Sequence, residues 1–362
     1  MKLRPHLVVA MLLFPALVFA QAAAPAPKKQ TSAPAASSGN YPVMSAAAKS
    51  RSRQLFALFE SGQSAALYAA FSPEMKKRGT AANFATLSKK IGTEWGREQK
   101  MIGENFGPDI LSAKTVYSRY SQFDKSKDPI YTIIAVDEQG QIAVIQFQPT
   151  PPATGNRFVD YKDTAKLRLP FNDEWFVYQG GRFIYQNSDA YRDAERYSTV
   201  FTVLKDGRPY SGDGTKNEQF YCYGQPVVAP ADGTVVLVND SYADNVPGRP
   251  EEIMPGGNRV LISHGSQEYS LLMHLKQNSI KVKQGAKVKQ GDVVGECGNS
   301  GYSPAPHLEY RLQNSSGRPL PQTLPAQFVD YVADGVAVPV GEPVRGQLVH
   351  NGSAPAAPAE KK

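Results

Sequence analysis

The sequence predicts a small α+β module followed by a larger, mainly antiparallel all-β domain. Three observations carry this expectation. Apolar residues recur at helical spacing between Leu55 and Phe71, and again from Phe84 to Ile91. Beyond Gly107 the pattern changes to β-branched and aromatic runs at 116–123, 130–136 and 142–147. From Leu167 onward the chain reads as short apolar strands punctuated by Gly and Asp-Gly turns, with almost no helical periodicity.

Taken in order, residues 1–20 read as a secretory signal. Lys2 and Arg4 give a basic start, and residues 7–19 form an apolar run of 13 residues that contains Pro15. That is short for a membrane span of about 20 residues, and Val18-Phe19-Ala20 suits a small-residue cleavage site. No cysteine follows that would carry a lipid anchor, so the expected location is the periplasm or the exterior. Residues 21–48, rich in Ala, Pro, Ser and Lys, cannot build a core and read as a linker. Residues 346–362 read as a flexible tail.

Residues 49–150 form the α+β module. Ser72-Pro73-Glu74 opens a helical turn, because serine caps and proline suits the first helical position. Asp137-Glu138-Gln139-Gly140 is a turn between two strands. Helices followed by an antiparallel sheet resemble the cystatin-like cone of the nuclear-transport-factor family. No acid–base pair stands out there, and Asp109, Asp124 and Asp128 read as loop residues.

Composition limits the chemistry. The chain has 362 residues, enough for two cores, but only five histidines and two cysteines. Those counts exclude a zinc-ribbon array, an iron–sulfur protein and a disulfide-dense scaffold. The formal charge of +7 falls to +5 once Lys2 and Arg4 leave with the signal. The basic residues are scattered, which suits an acidic polymer such as cell wall better than nucleic acid.

Residues 151–345 form the β domain, and its core, 224–311, holds an ordered series of motifs. Val227-Val228-Ala229-Pro230-Ala231-Asp232-Gly233-Thr234-Val235-Val236 precedes Gly257-Asn258-Arg259-Val260-Leu261-Ile262-Ser263-His264-Gly265. Then come His274-Leu275 at a strand end, Val288-Lys289-Gln290-Gly291-Asp292-Val293-Val294-Gly295, Gly298-Asn299-Ser300-Gly301 and Pro306-His307-Leu308-Glu309. In this order and spacing the run resembles the LytM or lysostaphin-like zinc endopeptidases, which cut peptide cross-links in peptidoglycan.

The resemblance implies a site. Zinc hydrolysis of an amide uses three protein ligands and an open position for water. In the family, two ligands come from an H-x-x-x-D motif or a longer-spaced version, and the third is the second His of an H-x-H. The other two histidines act on the water and the transition state. His274 matches one of these catalytic histidines, and His307 matches the first His of H-x-H. Glu309 stands where the third ligand should be. Upstream, the ligand histidine falls near Asp189 and the ligand aspartate falls on Val200. No histidine lies between His6 and His264, so the first ligand is not a histidine, and valine binds no metal.

Two readings follow. The domain is a degenerate member that binds peptidoglycan or regulates a cell-wall amidase, or it is an active zinc endopeptidase whose variant ligands include Asp189 and Glu309. Carboxylates with one histidine favour harder ions than zinc. His264 is assigned a structural role, and His350 is expected to be exposed near the tail. Cys222 and Cys297 form a disulfide in an oxidising compartment, closing a loop of roughly 75 residues worth about 4 kcal/mol. Free thiols and metal ligation are the other readings of the pair.

Overall fold

A computed structural model describes residues 46–112, 114–150, 158–190, 192, 194–317 and 320–352. The expected signal (1–20), most of the expected linker and residues 353–362 lie outside the described residues. The chain divides into two compact units. Within the described residues, the first comprises 46–106 and 114–150, and the second comprises 107–112 and the residues from 158 onward. No helix of the described residues is long and apolar enough to cross a membrane.

The first unit has the helices-then-sheet order the sequence predicts. Helices α1 (Ala46–Glu60), α2 (Ser64–Ala69), α3 (Pro73–Lys76) and α4 (Ala81–Trp95) precede β1 (Glu98–Pro108), β2 (Thr115–Phe123), β3 (Ile130–Val136) and β4 (Ile142–Pro149). The strands form one sheet in the order β1-β2-β3-β4. Caps set the helix starts. Ser72 Oγ accepts from Met75 N with Pro73 at the first helical position, and Thr80 Oγ1 accepts from Asn83 N. The apolar face of α1 buries Leu55, Phe56 and Phe59. Phe59 stacks on Phe147 of β4 with ring centroids 4.0 Å apart, and Phe56 meets Tyr117 of β2 edge-on.

The second unit is almost entirely β. Its strands are β5 (Trp175–Gln179), β6 (Thr199–Thr202), β7 (Pro226–Val228), β8 (Gly233–Asn239), β9 (Asn258–Gly265), β10 (Glu268–Leu275), β11 (Lys287–Val288), β12 (Val293–Glu296), β13 (Leu308–Gln313), β14 (Thr323–Leu324), β15 (Phe328–Ala333), β16 (Val336–Gly341) and β17 (Leu348–Asn351). One large sheet runs β11-β8-β9-β10-β13-β6-β5-β17-β15-β16, with β14 on β13, and its recorded strand pairings are antiparallel. β7 and β12 form a separate antiparallel pair. Phe171, Trp175, Phe201, Ile262, Leu308 and Phe328 fill the core with no exposed surface beyond 1%.

Three expectations need correction. The expected tail begins inside the sheet: β17 pairs with both β15 and β5, and Val349 is fully buried. Those pairings also leave His350 half-buried, with Nδ1 against Asn351 O at 2.9 Å. The expected bridge between Cys222 and Cys297 is not formed. Both thiols are free and buried, and they interact by hydrogen bonding within the core. Cys222 Sγ donates to Pro306 O at 3.0 Å and accepts from Thr202 Oγ1 at 3.5 Å.

A buried carboxylate pins the entry of the β domain. Glu268, fully buried at the start of β10, accepts from Tyr161 Oη, Thr164 N, Thr164 Oγ1 and Ala165 N at 2.6–2.9 Å. Burial alone would raise its pKa, but these four bonds hold the charged form and bring it below the ordinary value of 4.5. Glu268→Gln should therefore lower stability by about 1–3 kcal/mol at neutral pH, read by thermal unfolding. A depressed carboxylate stabilises above its unfolded pKa and loses that contribution as pH falls. The gap between wild type and variant should thus close as pH drops below about 4; a gap unchanged with pH would refute the assignment.

Candidate functional site

The site is built on the pairing of β10 with β13. Met273 lies opposite Glu309 and Leu271 opposite Arg311. A register shift between Leu272 and Leu275 on the β9 side interrupts the ladder, and His274 there adopts φ +61°. A left-handed backbone is uncommon outside glycine, although histidine tolerates it better than most residues. The irregularity turns the His274 ring toward β13, the re-aiming a bulge provides. Gly298 makes the close approach possible, since a Cβ there would overlap the backbone of Lys276.

Along β13 the side chains alternate. Leu308, Tyr310 and Leu312 go into the core, while Glu309 and Arg311 share the opposite face. His307 immediately precedes the strand and bridges to Gly298. The His274 and His307 rings face each other, with centroids 4.6 Å apart and planes inclined by 52°.

Each ring is held from behind. His307 Nδ1 donates to Ala305 O at 2.7 Å, so the proton sits on Nδ1 and Nε2 keeps its lone pair. Ser303 Oγ lies 3.2 Å from the same Nδ1 and 2.7 Å from Asn299 Oδ1. His274 Nδ1 faces Ser300 O at 2.8 Å, and its Nε2 faces Glu309 Oε2 at 3.1 Å. Burial, and then the neighbouring His274, pushes the His307 pKa down to about 4, which leaves the ring neutral at pH 7.

Glu309 anchors a chain of charges. Its Oε1 accepts from Arg311 Nε at 2.8 Å. Arg311 Nη2 reaches Glu195 Oε1 at 3.2 Å, and Arg192 Nη1 reaches Glu195 Oε2 at 2.8 Å. Arg192 Nη1 also lies 3.4 Å from Asp189 Oδ1, whose partner oxygen accepts from Gln179 Nε2 at 2.9 Å. Burial alone would raise the Glu309 pKa, but Arg311 and then His274 hold it well below the carboxylate range. Asp189 moves the other way, pushed up to about 6 by burial and by the charges of Glu309 and Glu195.

Among the described residues, His274, His307 and Glu309 form a group whose ligand atoms lie within 4.8 Å of one another. The sequence expectations therefore divide. His274, His307 and Glu309 come together. Asp189, expected as a metal ligand, stays outside this group and is committed to Gln179 and Arg192. Val200, at the position of the expected ligand aspartate, lies directly opposite Glu309 in the β6–β13 register and is buried. His264 lies away from the group, with Nδ1 2.8 Å from Asp232 O and Nε2 2.8 Å from Ser270 Oγ. Arg311, Arg192 and Glu195 were not anticipated. Arg311 was findable, because it follows Glu309 by two residues and so shares its strand face.

A β domain presenting two facing histidines and a carboxylate on one strand pair has the make-up of a metallopeptidase-type domain. Residues 218–321 match the model of peptidase family M23, and this region is similar to LytM/lysostaphin-like peptidases. An uncharacterized metalloprotease of Haemophilus influenzae is 34% identical over 120 residues, 33% of this chain and 22% of that protein. The peptidoglycan DD-endopeptidase ShyA of Vibrio cholerae is 30% identical over 153 residues, 38% of this chain and 31% of that protein. The matches thus span less than a third of either relative. The catalytic domain of lysostaphin from Staphylococcus simulans is a structural neighbour at 20% identity and TM-score 0.25, covering 42% of this chain and 88% of that one.

The raised Asp189 pKa has a signed consequence. Its folded form binds a proton more tightly than the unfolded chain, so stability falls as pH rises from about 4 to about 6. Asp189→Asn should be more stable than wild type above pH 6, by about 1–3 kcal/mol, and show no advantage near pH 4. Thermal unfolding across that range checks this.

Proposed function

We propose that this is an exported cell-wall protein whose M23 domain engages peptidoglycan without cleaving it. The observation that carries the reading is the Arg311 guanidinium bridging Glu309 and Glu195. A zinc peptidase site needs three ligands free to bind metal and an open position for water. Here Glu309 has one oxygen on Arg311 and the other on His274. Asp189 is taken by Arg192 and Gln179, and Val200 offers no donor atom. These residues do not fit the zinc set of the family.

What remains is a buried polar cluster with two fixed imidazoles. The neutral His307 Nε2 accepts a hydrogen bond, and such a group can bind a peptide N–H without reacting with it. The mild positive charge of the chain suits an acidic wall polymer. Regulation of a wall amidase is a consequence this reading allows, with the same groove as the docking site. The second reading, an active endopeptidase, draws on the three donors grouped within 4.8 Å.

The experiment uses the purified full chain with isolated sacculi. The expected outcome is co-sedimentation with sacculi, no clearing of turbidity, no stoichiometric zinc by elemental analysis and no effect of chelator. An added amidase should be stimulated if the groove also regulates. Stoichiometric zinc with chelator-sensitive clearing would overturn the proposal in favour of the enzyme.

A further inference from the structure

We propose that the first unit is a peptide-docking module, in which a cleft between helix α4 and the free edge of β4 takes an extended segment of a partner protein as an added strand. One apolar side chain of that segment enters the cleft, and acidic residues flank it. The inference concerns the first unit alone and stands apart from the reading of the histidine cluster.

The edge is one half of the argument. β4 pairs with β3 and is the last strand of its sheet. On its other side only the parallel bridge Phe71–Ile142 is formed, with Ser72 N on Ile142 O at 2.9 Å and Ile142 N on Ala70 O at 2.8 Å. Among the described residues, no strand covers that side from residue 143 to 149. An edge strand turns unpaired backbone N–H and C=O groups outward, ready to pair with another chain. Closed edges are guarded by charges or proline. The stretch Val144-Ile145-Gln146-Phe147-Gln148 carries neither.

The cleft is the other half. A cavity of about 60 Å³ lies beside this edge. Ile145, Gln146 and Phe147 all line it. Side chains alternate along a strand, so three consecutive residues border one cavity where it reaches the strand's edge. On the helix side the lining is Phe84, Leu87, Ile91 and Trp95 of α4, one stripe at i, i+3, i+7 and i+11. Phe84 and Ile91 are buried, whereas Leu87 and Trp95 are only half-buried, so the stripe is not fully covered.

Size and charge select the occupant. One water needs about 10–15 Å³ of such room, so the cavity holds about four to six waters. That is room for one apolar side chain and too little for an acyl chain. Residues 72–95, which supply most of the helical wall, carry five basic and two acidic groups. Both acidic groups already face lysines, Glu74 at 2.6 Å from Lys77 and Glu94 at 3.8 Å from Lys90. Arg78, exposed, borders the cavity itself. Acidic residues beside the apolar anchor match this rim. Backbone pairing along an open edge, with a pocket for one side chain, is the arrangement by which a peptide adds a strand to a sheet.

The test uses the purified full chain and short fluorescein-labelled peptides of alternating Thr and Glu, with Leu, Val, Phe or Ser at the central position. Binding is read by fluorescence anisotropy. The expected result is saturable binding of at least one apolar-centred peptide, with the Ser peptide weaker by about tenfold or more. N-methylating alternate backbone nitrogens blocks one edge of the peptide. One alternate set should weaken binding by about tenfold or more and the other set should not, because only one edge meets β4. Hydrogen exchange of amides in 143–149 should slow in the complex. Arg78→Glu, folded by circular dichroism, should bind several-fold more weakly. The proposal is overturned if no peptide binds up to about 1 mM, if Leu and Ser peptides bind alike, or if neither N-methylated set weakens binding. A dimer of the unliganded chain that protects 143–149 overturns it in favour of a second copy on this edge. Dodecanoate that protects α4 and leaves 143–149 unprotected, with no peptide binding, overturns it in favour of a lipid.

Discussion

The burial of the Glu309 carboxylate is the constraint around which the site is organised. A charge beneath two imidazoles and beside a β sheet survives only with a partner that stays in place. Arg311 supplies it from the same strand face, two residues along. The distance from Glu309 to Arg311 is set by strand geometry rather than by a flexible loop, so the pair forms wherever β13 forms. The outer members, Glu195, Arg192 and Asp189, then follow as a chain of alternating charges, each neutralising its neighbour. Removing one member changes the environment of all the others, so substitutions along the chain should not add.

The β10–β13 ladder connects this network to the rest of the domain. On the core side, Ser270 Oγ lies 2.9 Å from Tyr310 Oη and 2.8 Å from His264 Nε2, joining β9, β10 and β13 through a polar relay. Glu268, two residues before Ser270, ties the same strand to residues 161–165. At the other end Cys222 Sγ holds Pro306 O, the carbonyl immediately before His307. His307 is thus positioned by a thiol bond in front and by Ala305 O and Ser303 Oγ behind. The imidazoles are held in place because the buried donors and acceptors around them are paired off.

The fold was largely legible in the sequence because its signals are local. Helical spacing at Leu55–Phe71, alternation at 130–136 and Gly-marked turns between short strands each depend on a few neighbouring residues. The pair His274 and His307 was legible through motif order, and Glu309 through alternation with His307. What escaped depends on pairing between distant strands. Glu195 meets Arg311 only because β6 lies beside β13, a neighbour relation no spacing rule gives. The same pairing puts Val200 opposite Glu309. The tail was misjudged at β17, whose four residues carry too short a pattern to read as a strand until β5 and β15 flank them. The cysteines were read correctly as neighbours but not as bridged, since sequence distance says nothing about whether two thiols hydrogen-bond or bond covalently.

Charge accounting bears on what the groove can do. Three carboxylates, Asp189, Glu195 and Glu309, face two guanidiniums, Arg192 and Arg311. Each guanidinium of the cluster is paired with carboxylates. In this groove the guanidiniums are spent on carboxylates. His307 keeps its Nδ1 on Ala305 O, so its Nε2 carries a lone pair that accepts hydrogen bonds. Arg311 therefore gives Glu309 what a buried carboxylate requires, a fixed cation at contact distance.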